Sequence, residues 1–417
     1  MDFQPDYRHI LDVLYNKKPE RLPLYEHHID LPFISKFLDR EIGLEGTQPR
    51  DLENYYRIIT GFWKDTTYDA FDYEAAICEI FPGHGAISGG MLGPIQTRED
   101  FEKYPWDELP EVFWDTYAPH FEAIRNILPD GMKAFGGCGY GIFESAQDLV
   151  GYEPLCTMQY TDPDLFGDLF KKIGDLYFTL WSGVIDKYAD IFVFFRMGDD
   201  LGFKTSTLLE PDTIRIHVLP QYKRVIDLVH ASGKKFLLHS CGKIFELMGD
   251  IIALGIDAKH SNEDEIAPFG KWIELYGDRI GLFGGIDVNT ICLNDYDTVY
   301  RMVLEDASRF RESARGYGLG SGNSIAGYVP VEGFMGMIDA AIEMEDGEEK
   351  DRLIKLIANH MKKSYLTWNR SQVTDEIIFN DIRQLSGGKI IIREDLKLTE
   401  TKSILSKNKK KRTTRKK

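Results

Sequence analysis

From about residue 130 the chain alternates two apolar patterns. A stretch with helical spacing ends at a glycine, and a short continuous apolar run follows, closed by small or polar residues. The helix expected over Leu219–Ala231 stops at Gly233 and leads into KKFLLHSCG; the next, Phe245–Leu254, stops at Gly255 and leads into IDAKHS. A third, over 272–276, stops at Gly277 before RIGLFGGID, and a long one, over 299–314, stops at Gly316 before YGLGSGN. Such terminal glycines suit left-handed helix caps. Two earlier units read alike: MKAFGGCG after Gly131, and DIFVFFRMGDD after a helix over 165–188. Nearer the start, RLPLYEHH reads as a first strand and AAICEIF as a weaker second.

Strands alternating with helices imply parallel βαβ units. Seven or eight such units predict an α/β fold, a (β/α)8 TIM barrel, which a chain of this length accommodates with insertions. A doubly wound sheet is the competitor, but no GxGxxG turn follows the first strand. Residues 370–400 fall outside the rhythm and read as a short C-terminal extension packed on the barrel. The expected organisation is one domain over residues 1–400 and a basic, disordered tail over 401–417.

Charge sharpens that division. The net charge of −17 conceals nine Lys/Arg and no acid in residues 402–417, so the rest carries 41 bases against 67 acids. A body that acidic is a poor partner for nucleic acid. The tail KNKKKRTTRKK would suit an anionic surface, but its composition favours a solubilising end. Five scattered cysteines (Cys78, Cys138, Cys156, Cys241, Cys292) make no disulfide framework and fit a reducing compartment. With no basic-then-apolar leader and no apolar run of membrane-spanning length, the expectation is a soluble, cytoplasmic protein.

The chemistry gathers where strands end. In an extended backbone residues two apart share a face, so His239 and Cys241 aim at one point, and zinc accepts that ligand pair. Taken alone, a His-x-Cys is more often a hydrogen-bonded histidine beside a buried thiol. Its place at a strand end in a barrel favours the metal. Other strand ends carry His27 and His28, Cys138, Asp199 and Asp200, His260, Asp287, and Asn323 with Ser324. Adjacent side chains on a strand diverge, so one of Asp199 and Asp200 faces the pocket, and Asp200 is the choice as general base or polar anchor. Glu144 starts a helix and either stabilises its first turn or completes a metal site. Asp287 either caps the next segment or reaches substrate.

The order FRMGDDLGFKTSTLLEP, LLHSCGKIFELMGDIIALGIDA, GLFGGIDVNTICL and GSGNSIAGYVPVEGFMGMIDA resembles the uroporphyrinogen decarboxylase superfamily, over about residues 8–345. The resemblance implies a (β/α)8 barrel and two branches of chemistry. Decarboxylases of the superfamily carry an arginine-rich motif after the first strand, where this chain reads Tyr25-Glu26-His27-His28-Ile29-Asp30, and a late histidine where it has Asn323. Its cobalamin-dependent methyltransferases bind zinc through His-x-Cys and a distant cysteine. His239 and Cys241 match the pair, while Asn323 stands in the distant cysteine's place and Cys292 lies on the wrong segment to replace it. The third ligand then comes from elsewhere, with Glu144, Asp287 or His260 as candidates.

The resemblance thus implies a zinc methyltransferase that moves a methyl group between a small molecule and a corrinoid (cobalamin). The corrinoid would be carried by a separate partner protein, since no Asp-x-His-x-x-Gly motif occurs in this chain. Anaerobic metabolism and a homodimer are implied as well. On this reading His239 and Cys241 hold zinc; Asp200, Glu144 and Asn323 are the catalytic candidates; His27, His28 and Asp287 bind substrate. The alternatives are a decarboxylase of a tetrapyrrole-like substrate and a non-catalytic corrinoid- or tetrapyrrole-binding barrel.

Overall fold

The computed structural model describes residues 3–345 apart from 90, 91 and 264, and then residues 358, 361, 362, 365, 374–385 and 398. The chain falls into two compact units, Met1–Ala341 and Ile342–Lys417. The boundary expected at residue 400 and the basic tail lie outside the described residues. Of the second unit, the helix Asp375–Leu385 buries Ile378 and Ile382 with Ala358 and Leu398.

The first unit is built on a curled parallel sheet of seven strands in sequential order: β1 (Ala70–Ala76), β2 (Lys133–Gly139), β3 (Phe192–Gly198), β4 (Phe236–His239), β5 (Ala258–His260), β6 (Gly281–Ile286) and β7 (Tyr317–Ser321). Six of these are the apolar runs read from the sequence. The first expected strand, RLPLYEHH, instead makes one isolated parallel bridge, Leu24 to Leu319, and a second follows just beyond it, Ile29 to Ile325.

The second expected strand is shifted. AAICEIF is only the end of β1 and a 3-10 turn at Ile77–Ile80, and the strand proper is AFDYEAA. Asp72 and Glu74 hide it, because both carboxylates face a buried arginine and break the apolar pattern. The helix caps also divide. Gly233 (φ +78°) and Gly255 (φ +106°) are left-handed as expected, whereas Gly277 has φ −61°. Gly316 is needed instead for close approach, since a Cβ there would lie 2.6 Å from the Val13 carbonyl oxygen.

Side chains two apart on a strand share a face, which layers the interior. The bottom layer is aromatic: Phe135 and Phe194 stack at 5.3 Å, and Tyr25 lies 4.9 Å from Phe135 and 4.7 Å from Phe283. Each such ring contributes roughly 2–3 kcal/mol by leaving water. Two residues above Phe194 is Arg196, fully buried over the Phe135 ring, and two above that is Gly198. The register pairs Gly198 with His239 and His239 with His260. Three neighbouring strands therefore end level, two of them in imidazoles.

Candidate metal centre at the strand ends

β4 ends at His239, and the chain turns through Ser240, Cys241 and Gly242. Gly242 has φ +86°, and a Cβ on it would lie 2.0 Å from the Gly202 backbone, so only glycine fits this turn. The turn returns Cys241 Sγ to 3.4 Å from His239 Nε2. A tetrahedral zinc with ordinary Zn–N and Zn–S bonds separates such donors by about 3.6 Å. The pair fits one ion.

Neighbouring hydrogen bonds set the tautomers. His260 Nε2 lies 2.9 Å from the Ser321 carbonyl oxygen, which can only accept, so Nε2 carries the proton. Its Nδ1 is then a bare acceptor, 2.8 Å from His239 Nδ1, which must donate to it. His239 Nε2 is left with a free lone pair on the side of Cys241. Burial holds both rings neutral, with the pKa of His260 down at about 3 and that of His239 well below the usual range. Neutral imidazole is the ligating form. The ring of His27 stacks on His239 with centroids 3.4 Å apart, and rests against Gly198.

Three polar groups surround the sulfur. Ser261 Oγ donates to Sγ at 3.3 Å, and Asn323 Nδ2 lies 3.6 Å from it. Asn323 also donates to Glu263 at 2.9 Å. Asp200 Oδ1 accepts the Cys241 backbone N–H at 2.8 Å and lies 3.9 Å from His239 Nε2. Burial and then the Asp200 charge push the Cys241 thiol well above its ordinary pKa. A bound cation would reverse that, since a coordinating thiol is deprotonated. Among the described residues two donor groups are compact enough for a metal: His27 with His239 and His260, and Asp200 with His239 and Cys241.

The paired residues of the sequence part company. Asp199 is buried and accepts the backbone N–H groups of Phe143 and Glu144, both at 2.9 Å, and the Tyr222 hydroxyl at 2.6 Å. It clamps the start of the helix Ile142–Val150, while Asp200 faces the sulfur. Glu144 thus sits in the first turn of that helix, and burial followed by the charges of Asp199 and Asp200 holds its carboxyl well above the usual range. His28 turns away from His27 to Asp72 at 2.6 Å. Asp287 does cap the helix Val288–Leu293, accepting the Asn289 N–H at 2.7 Å. It also lines a cavity of about 530 Å³ with Glu263, Asn323, Ser324 and Cys292. Cys138 is buried, its thiol pushed well above the usual range by burial.

The sequence reading missed the charged layer beneath. Arg196 donates to Glu74 (Nε, 2.9 Å), Asp72 (Nη2, 2.8 Å) and the His27 carbonyl. One arginine inside FVFFRMG was the visible signal. Glu26 is also buried, taking the Ser321 N–H at 2.9 Å and the Ser321 hydroxyl, and burial pushes its pKa up to about 8. Lys259 points out of the sheet over the Trp272 ring at 4.2 Å and caps the carbonyls of Ser240, His260 and Ser261.

The family profile described as uroporphyrinogen decarboxylase (URO-D) matches residues 85–344, and a domain of unknown function (DUF4290) matches residues 332–396. No curated protein matches the chain. Among solved structures, a methyltransferase from Methanosarcina mazei superposes with TM-score 0.60 at 15% identity, covering 81% of this chain and 98% of that one. The xylanase B of Clostridium stercorarium F9, at TM-score 0.37 and 9% identity, covers 65% and 96% and is too distant to bear on this site. With the profile spanning more than half of its length, and with a parallel curled sheet of the same class, the chain belongs to the uroporphyrinogen decarboxylase family.

Proposed function

We propose that this protein is a zinc-dependent methyltransferase that moves a methyl group between a small molecule and a corrinoid on a separate partner protein. The observation that carries the reading is the His239–Cys241 donor pair, 3.4 Å apart, with the far nitrogen of His239 occupied by His260. The fold likeness to a methyltransferase supports the same branch of the family. The bridged segment at Leu24 and Ile29 is read as the eighth stave of the barrel. A zinc ion held by His239 and Cys241 would act as a Lewis acid on a substrate thiol or hydroxyl, lowering its pKa.

The chain's own groups do the rest. Ser261 and Asn323 donate to the sulfur and steady it as thiolate. The cavity beside Asn323, lined also by Lys204, Glu263, Asp287 and Tyr328, holds the small molecule. Glu144, whose carboxyl burial and then the Asp199 and Asp200 charges hold well above the usual range, is the candidate proton donor to a leaving group. A decarboxylase of polycarboxylate substrates is disfavoured by the acids beside the donor pair and the cavity (Asp200, Glu263, Asp287), and the buried Arg196 is already committed to Asp72 and Glu74.

The test is elemental analysis of the wild type and Cys241→Ser, with methylcobalamin turnover followed by visible absorbance. About one zinc per chain, lost in the variant together with turnover, supports the reading. Metal-free wild type refutes it and turns attention to tetrapyrrole substrates. Zinc retained by the wild type with corrinoid bound but never demethylated leaves a binding protein.

A further inference from the structure

We propose that Asp200 is the third protein ligand of the metal, completing a His239–Cys241–Asp200 centre. The inference rests on the zinc reading above and adds to it the identity of the third donor.

Two compact donor groups share His239, one with His27 and His260 and the other with Asp200 and Cys241. The side toward His260 is closed, because Nδ1 of His239 carries the proton that His260 accepts. His260 has no nitrogen left, its Nε2–H being spent on the Ser321 carbonyl. The lone pair that remains on His239 is Nε2, and the donors gathered on that side are Cys241 Sγ at 3.4 Å and Asp200 Oδ1 at 3.9 Å. Two tetrahedral nitrogen and oxygen ligands of one zinc stand about 3.4 Å apart, so closing this gap takes a side-chain adjustment of about half an ångström.

Other candidates fall away. Asp287 is the cap of the helix Val288–Leu293, Asp199 spends its carboxylate on two backbone N–H groups and Tyr222, and Glu144 belongs to neither compact group. The Cys241 N–H bond to Asp200 Oδ1 then acts as an outer support, holding the carboxylate toward the sulfur while a lone pair is left for the ion. One thiolate and one carboxylate balance a divalent cation, and the fourth position is left for a substrate atom.

The experiment is a zinc competition titration with a chromophoric chelator, beside the visible spectrum of the cobalt(II)-substituted protein. Wild type is compared with Asp200→Asn and Asp200→Glu, with thermal melting of the metal-free proteins as a fold check. Asparagine keeps the oxygen that accepts the Cys241 N–H, so the turn survives and only the charged ligand is lost. The expected result is a fall in zinc affinity of more than about 100-fold for Asp200→Asn, beyond the roughly 10–100-fold of an outer-shell partner, with altered cobalt bands. Asp200→Glu should keep the metal with shifted bands. Affinity within tenfold of wild type and an unchanged cobalt spectrum in Asp200→Asn would overturn the assignment and leave Asp200 a turn clamp. If Asp200→Asn does not fold, unshifted bands in Asp200→Glu would overturn it equally. Wild type that binds no metal defeats the zinc reading itself, a separate outcome from either.

Discussion

The Nδ1 atoms of His239 and His260 face each other at 2.8 Å, on adjacent parallel strands whose register makes the two residues partners. One bare nitrogen and one proton must meet there, and the Ser321 carbonyl decides which ring holds which. His260→Ala removes no metal ligand but frees His239 to adopt either tautomer. Zinc affinity should fall about 10–100-fold, the usual loss for an outer-shell partner. A chelator competition titration checks this, and affinity equal to wild type would show that the relay is idle.

Arg196 holds two carboxylates beneath the site with its side chain wholly buried. Arg196→Met takes the guanidinium from between Asp72 and Glu74 and leaves only His28 on Asp72. Breaking a buried pair in this way costs about 3–5 kcal/mol, and urea denaturation should show it as a lower midpoint. Adding Glu74→Gln to Arg196→Met should recover part of the loss. A double variant as unstable as the single one would mean that packing on Phe135, not charge, is what Arg196 supplies.

Glu26 links burial to pH. Its folded pKa is about 8 against an ordinary 4.5, raised by burial. Between those values the unfolded chain has released the proton that the folded chain keeps, so the contribution is intact below about pH 4.5. It declines as pH rises toward 8 and then levels off. The slope is about 1.4 kcal/mol per pH unit inside that window. Glu26→Gln cannot ionise, so unfolding free energies of the wild type and variant should diverge with rising pH from 5 to 8. Parallel curves would refute the assignment of a neutral Glu26.

The turn after His239 depends on Gly242. Gly242→Ala must hold φ +86° and push a Cβ into the Gly202 backbone. A non-glycine residue in a strained left-handed conformation costs about 1–3 kcal/mol before the clash is counted. The variant should melt lower and purify with less zinc, because the turn that brings Sγ back to His239 opens. Full zinc occupancy in a destabilised variant would separate the turn from the site.

Much of the architecture is local, and the sequence alone was enough for it. Continuous apolar runs after stretches of helical spacing marked six of the seven strands, and an imidazole and thiol two residues apart at a strand end marked the candidate donor pair. His239 and Cys241 were legible because their meeting depends on a few bonds of one chain segment. What only the tertiary structure decided involves partners far apart in sequence. AFDYEAA did not read as a strand because its inward carboxylates answer an arginine more than a hundred residues later. Asp199 and Asp200 could not be told apart until the helix Ile142–Val150 claimed the first and the Cys241 turn faced the second. The tautomer of His239 depends on the Ser321 carbonyl, brought close by the ordering of β4 to β7. Periodicity reports how a segment divides between apolar and polar surroundings, but which buried charge meets which is set by strand register, and register is a property of the assembled sheet.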